Sequence, residues 1–315
     1  MLGRRRSLLI CAFALLALHL PQTCESKGEA LSSSQVLTES VASRTPKKYR
    51  CVFLHGIGYL VTGPPNASDV EGYWGGDEVV RQNTPQCSSW TFVHQDTVHR
   101  AWNDTSLVTA FCDAAINGPE KAIVDTLVFT HSLGNLIFAR GLDLGVCLLG
   151  NSSKWVSMSA PWKGSKAAEL VSDMCLKGSI FDKAMKKIAD LLHWQYCQPD
   201  KQPNAAYASL VPGYPGLSAN IAVAERFASF ALCGSSAWGI TTKYSPALEA
   251  LSKLVDYDSP NDAMVTVESC RLSTKSYGST YKDAFLQSDV NHVDGTGGTG
   301  TLDKSIVRQW MRHIE

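Results

Sequence analysis

Neither sign of charge is in excess: 29 lysines and arginines face 29 aspartates and glutamates. A chain without net charge carries no electrostatic footprint for following a phosphate backbone, which excludes nucleic acid as a partner and disfavours a polyanionic substrate. No two cysteines stand in C-x-x-C spacing, so the signatures of structural zinc and of dithiol redox chemistry are missing. There is no internal repeat and no long low-complexity tract, the glycine-rich stretch at 295–300 being short. The apolar run at residues 8–20 falls short of the roughly 20 residues that span a bilayer comfortably.

What is present is an ordinary globular composition, 44% hydrophobic over 315 residues, enough for one enclosed core. Arg4, Arg5 and Arg6 precede the apolar run and Pro21 breaks it, which is the pattern of a signal peptide over residues 1–24; an uncleaved anchor is the alternative. Of ten cysteines, Cys11 and Cys24 fall in or beside this leader. The other eight suggest up to four disulfides in an oxidising compartment, with a pairing that spacing does not fix. Asn66, Asn103 and Asn151 open N-x-Ser/Thr acceptor tripeptides, which fit the same route. The expected location is the exterior, or the lumen of the secretory or endolysosomal pathway.

Residues 25–48 are polar and serine-rich, a linker, and the folded domain is expected over 49–315. Tyr49–Leu54, 123–129 and 155–158 read as buried strands of a parallel sheet. Residues 135–144 follow a helical period, and 181–196 place Met185, Ile188, Leu191 and Leu192 on one face of an amphipathic helix. The mainly helical interval at about 165–250 is an insertion-sized region, expected to cap the carboxyl ends of the strands, where ligands of doubly wound sheets bind.

Thr130-His131-Ser132-Leu133-Gly134 lies between an expected strand and an expected helix. A serine on so tight a turn presents its hydroxyl, and small flanking residues let strand and helix approach each other. Gly134 meets that need better than Thr130. Upstream, His55-Gly56-Ile57-Gly58 closes the first strand with a glycine turn. Downstream, Asn261-Asp262-Ala263-Met264-Val265 offers a carboxylate, and Asn291-His292-Val293-Asp294 offers an imidazole just before the terminal helix. The order Ser132, Asp262, His292 differs from the orders of chymotrypsin-like and subtilisin-like chains. Asp256 and Asp258 compete with Asp262 for the acid.

These segments resemble the α/β-hydrolase family, whose elbow pattern is Gly-x-Ser-x-Gly, and in particular its bacterial triacylglycerol lipases. The resemblance also covers Ser159-Ala160-Pro161-Trp162-Lys163-Gly164-Ser165, where Trp162 replaces a histidine. It implies a mostly parallel, doubly wound sheet with a helical cap, and a secreted serine hydrolase of carboxylic esters that needs no cofactor. Ser132 would be the nucleophile, His292 its base, Asp262 the orienting acid, and the amides of Ile57 and Leu133 the oxyanion hole. Acyl lipid or another ester would be the substrate, with transient contact between cap and lipid surface. A palmitoyl-type protein thioesterase, an acyltransferase, and a non-catalytic extracellular binding module are the alternatives. The resemblance further makes Asp294 a calcium candidate, set against a plain charged loop residue. His94, Asp96 and His99 fit no zinc signature, and His131 is expected to pack or line the site.

Overall fold

The computed structural model describes residues 47–177 and 195–315. The expected leader, all but the last two residues of the linker, and all but the last two residues of the helix at 181–196 lie outside the described residues. Among the described residues eight strands occur in chain order: β1 Tyr49–Leu54, β2 Cys87–Phe92, β3 Ala122–Ile123, β4 Thr126–His131, β5 Leu148–Leu149, β6 Lys154–Met158, β7 Ala228–Gly234 and β8 Phe285–Ser288. Six of them form one parallel sheet in the order β2-β1-β4-β6-β7-β8, while β3 and β5 pair separately.

The central strands read as continuous apolar runs because both faces of the sheet are covered. Alternate side chains of β1 enter opposite cores. Cys51 and Phe53 join Trp74, Phe129 and Trp310, whereas Val52 and Leu54 join Phe111, Leu136 and Trp155. Phe53 stacks between Phe92 and Phe129 of the two neighbouring strands, at centroid distances of 4.9 and 4.7 Å. Burying each such ring contributes about 1.5–3 kcal/mol. Helices α1 (Ser68–Tyr73) and α2 (Asp77–Asn83) follow β1, and α2 packs against the terminal helix Ile306–Arg312. On the other face, α3 (Thr105–Ala115) lies against α4 (Leu133–Asp143), which in turn meets the helix Leu217–Phe227.

The strand expected at 123–129 divides at Asp125, whose positive φ of 46° turns the chain between β3 and β4. The interval expected to be a cap at about 165–250 needs a correction, because β7 lies inside it and belongs to the central sheet. Helix α5 (Lys166–Lys177) and the helices Ala205–Ala208 and Leu217–Phe227 stand between β6 and β7. Strands β2 and β8 run along the two edges of the sheet, where mixed polar and apolar residues hid them from pattern reading.

All eight cysteines from Cys51 onward are joined, Cys51–Cys87, Cys112–Cys147, Cys175–Cys197 and Cys233–Cys270. Four disulfides are consistent with an oxidising environment. No helix among the described residues is long and apolar enough to cross a membrane. Asn66, Asn103 and Asn151 are exposed.

Candidate active site

Ser132 occupies the single residue between β4 and α4, with φ 52° and ψ −126°. A non-glycine residue in that region costs on the order of 1–3 kcal/mol and persists only where its surroundings over-determine it. Part of that determination is steric. A Cβ on Gly134 would come within 2.6 Å of the Leu54 and His55 carbonyl oxygens, so β1 and α4 can approach only with glycine there. A Cβ on Gly56 would stand 2.7 Å from the Ser132 Cβ. The two glycines let the Ser132 turn and the His55-Gly56 turn pass each other in contact.

The other part is polar, and it gives Thr130 its reason. Its buried hydroxyl accepts from Trp155 Nε1–H at 2.7 Å and donates to Asn135 Oδ1. The Asn135 amide then donates to the carbonyls of Ser132, at 3.1 Å, and Met158, at 3.0 Å. The Ser132 N–H also donates to Met158 at 3.0 Å. Threonine at the first position of the elbow therefore links the Ser132 carbonyl, through Asn135, to β6, a connection glycine could not make.

The three sequence-nominated residues meet, although 160 positions separate Ser132 from His292. Ser132 Oγ lies 2.9 Å from His292 Nε2, and His292 Nδ1 lies 2.8 Å from Asp262 Oδ2. A carboxylate only accepts, so the imidazole carries its proton on Nδ1 and turns the lone pair of Nε2 toward the serine hydroxyl. The Asp262 carboxylate is fixed in turn: Oδ1 accepts from the amides of Met264, at 3.0 Å, and Val265, at 2.7 Å. The Asp262 carbonyl accepts the His292 N–H at 2.9 Å, so the two loops are joined through backbone as well as side chain. Asp256 and Asp258 are exposed, and Asp258 pairs with Lys166 at 3.0 Å, away from the imidazole.

Leu133 is the first residue of α4, where an N–H has no acceptor within its own helix. Ile57 lines the cavity that also holds Ser132 and His292, and among the described residues no hydrogen bond engages its N–H. The preceding amide, that of Gly56, donates to the Tyr73 hydroxyl at 3.0 Å.

Sequence reading missed Tyr73. Its hydroxyl lies 2.6 Å from His131 Nδ1, and His131 Nε2 lies 3.0 Å from the carbonyl oxygen of His292. A carbonyl only accepts, so His131 carries its proton on Nε2 and accepts the tyrosine proton at Nδ1. Burial, and then the neighbouring His292, hold the His131 pKa well below its ordinary 6.5. Burial pushes the Tyr73 phenol up, keeping it protonated as that donor. His131 is thus a neutral member of the site and more than a packing residue. The segment Tyr73-Trp74-Gly75-Gly76 signals a turn in the sequence, but nothing in it points to His131.

Asp294 departs from both of its expected roles. It is fully buried, its Oδ2 accepts the Ile240 and Asn291 amides at 2.8 and 3.2 Å, and its Oδ1 accepts the Thr299 hydroxyl at 2.6 Å. Burial raises its pKa. These donors make it an internal tie for the loop after His292 instead of an open ligand or a solvated charge. Asp96 and His99 form a surface pair at 3.0 Å, while His94 is buried with its ring 4.9 Å from that of Tyr59. Among the described residues no three His, Cys, Asp or Glu side chains are grouped so as to hold a metal.

Two cavities flank the site. One, of about 50 Å³, touches Ser132 and is walled by Ala168, Leu210, Met264 and Val265. The other, of about 320 Å³, touches His292 but not Ser132, and its walls, which include Tyr59, Tyr244 and Thr299, carry no acidic residue, lysine or arginine.

Among solved structures, the chain is similar to the mature form of the Bacillus licheniformis lipase BlEst2, with a TM-score of 0.51 and 16% identity over 81% of this chain and 89% of that one. The chain has the α/β-hydrolase fold. A metagenomic carboxyl esterase, MGS0156, is similar at TM-score 0.48 and 14% identity over 85% and 73% of the two chains. Lipase 1 of Pelosinus fermentans is similar at 0.46 and 12% over 84% and 96%. No family model and no curated protein sequence matches the chain. In this fold the parallel strands β1, β4 and β8 bring the Gly56 turn, the Ser132 elbow and the His292 loop to the carboxyl-terminal end of the sheet.

Proposed function

We propose that the chain is a serine hydrolase of carboxylic esters, with Ser132 as nucleophile, His292 as general base and then acid, and Asp262 as the group that orients His292. The observation that carries this reading is the unbroken line from Asp262 Oδ2 through both imidazole nitrogens to Ser132 Oγ, at 2.8 and 2.9 Å, on a backbone held in a strained elbow.

In the first half-reaction Oγ bonds to the acyl carbon as its proton passes to Nε2. Charge gathers on the former carbonyl oxygen, to which the Ile57 and Leu133 amides would donate. The ester C–O bond then breaks, and Nε2–H protonates the departing alcohol oxygen. Water enters, gives a proton to Nε2 and attacks the acyl carbon; Oγ leaves with that proton, and the acid is released. Each proton taken by His292 is returned, so the cycle closes without a cofactor.

The Ser132 cavity supports an acyl group on its apolar side, and the similarity of fold to the Bacillus licheniformis lipase BlEst2 agrees with ester chemistry. Acyl lipids are the substrates this lining favours. The uncharged His292 cavity favours a neutral alcohol. The leader pattern, four disulfides and three exposed acceptor asparagines support a secreted or lumenal glycoprotein.

The test is turnover of a p-nitrophenyl ester series of increasing acyl length by the purified full chain and by Ser132→Ala. Hydrolysis abolished by the substitution is expected. Equal rates in both proteins, or cleavage of thioesters alone, would overturn the ester assignment.

A further inference from the structure

We infer that Tyr73 and His131 form a two-residue brace that fixes the oxyanion turn relative to His292, which makes both of them positioning residues for the reaction. The inference rests on the assignment of Ser132 as nucleophile and adds residues that the Ser132, His292 and Asp262 arrangement does not include.

The donor and acceptor inventory leaves one arrangement. The Gly56 amide donates to the Tyr73 oxygen at 3.0 Å, so the phenolic proton is free to point at His131 Nδ1, 2.6 Å away. His131 Nε2–H then donates to the His292 carbonyl at 3.0 Å. Every bond in the series runs in one direction, from the turn after β1 to the loop after β8, and its middle member directly precedes the nucleophile. Three loops from three strands are therefore held by two side chains.

Two consequences bear on chemistry. First, the Gly56 amide is consumed, so the turn presents the next amide, that of Ile57, to the reacting oxygen. Second, the His292 main chain is held from both sides, by His131 at its carbonyl and by the Asp262 carbonyl at its N–H. Moving the His292 main chain away from Ser132 requires breaking one of those bonds. The brace can do this because His131 stays neutral; a protonated ring would lose its acceptor nitrogen and stand against His292, 4.8 Å away between centroids.

Tyr73→Phe keeps the ring that packs on Trp74 and His55 and removes only the hydroxyl. It is expected to lower kcat on a short p-nitrophenyl ester about 10- to 100-fold, the scale of a small misplacement of reacting groups, with KM changed by less than about threefold. His131→Gln, which still has an N–H to offer the His292 carbonyl, is expected to retain more kcat than His131→Leu at equal folded fraction. Histidine 15N chemical shifts of the wild type read the brace independently of activity, with a neutral His131 protonated on Nε2 from pH 5 to 8 expected.

Wild-type kcat in Tyr73→Phe, or equal losses in His131→Gln and His131→Leu, would overturn the brace while leaving the hydrolase reading intact. A wild type that fails to react at Ser132 at all would overturn that reading, and the positioning role with it. An Nδ1-protonated His131 would overturn the brace regardless of activity. Should Tyr73→Phe not fold, the His131 pair and the nitrogen shifts decide alone.

Discussion

The two halves of the site are held by different forces. At Ser132 much of the constraint is contact between atoms, since a Cβ on Gly134 would strike backbone oxygens and one on Gly56 would strike Ser132 itself. Around Asp262 and His292 a polar network of amides, carbonyls and the two side chains themselves stands beside a steric constraint, since a Cβ on Gly234 would come 2.8 Å from the Asp262 Cβ. Steric constraint leaves small residues at fixed spacing in the sequence, whereas a hydrogen-bond network uses backbone groups that every residue carries. The small residues are therefore readable in advance, whereas the bonds that hold Asp262 and His292 become visible only in three dimensions.

The comparison breaks most sharply at Asp262. If orientation of His292 is a polar effect centred there, Asp262→Asn should lower kcat/KM by about 10⁴-fold with the fold intact, because an amide can donate to Nδ1 and so select the wrong tautomer. Asp256→Asn and Asp258→Asn serve as controls in the same kinetic assay. Comparable losses in either control would remove Asp262 from the site.

Next in size is the steric half. Gly134→Ala places a methyl group 2.6 Å from two carbonyl oxygens of the β1 turn and should destabilise the fold by more than about 3 kcal/mol in urea unfolding. A stable, active alanine variant would show that strand and helix have room to separate. A smaller effect is expected where the two kinds of constraint meet, at Thr130. Thr130→Val leaves Trp155 Nε1 and Asn135 Oδ1 without the hydroxyl they share, for a loss of about 1–3 kcal/mol by the same method. Thr130→Gly, which restores the commoner elbow pattern, should not recover that loss.

These residues also mark how far the sequence could be read. Ser132, Gly134 and the Gly56 turn were legible because a strained turn demands them, and His292 because of its place before the terminal helix. Asp262 stood among three aspartates, and only the structure shows the other two facing solvent. Asp294 looked like a surface charge because sequence carries no record of burial, and its three donors come from Ile240, Asn291 and Thr299, up to 54 positions away. Tyr73 gave no signal, its partner being 58 positions distant. Strand β7 was absorbed into the expected cap because a short apolar strand amid helices has no period of its own to declare it.

The gentlest probe is pH. The His131 pKa is depressed by burial below the 6.5 of the unfolded chain, so the unfolded state binds the extra proton as pH falls. Its contribution to stability is full above about pH 6.5 and is lost below it, at up to about 1.4 kcal/mol per pH unit. Replacing it by Gln should flatten the urea-unfolding free energy between pH 6.5 and 5. An unchanged slope would mean that His131 is not held neutral.

The most direct measurement is reaction of the purified full chain with a fluorophosphonate, the modified residue being located by mass spectrometry, with His292→Ala alongside. A single adduct on Ser132 that forms at least about 10²-fold more slowly in His292→Ala is the expected result. An adduct on another residue, or one whose rate ignores His292, would contradict the assignment of Ser132 as a nucleophile activated by that imidazole.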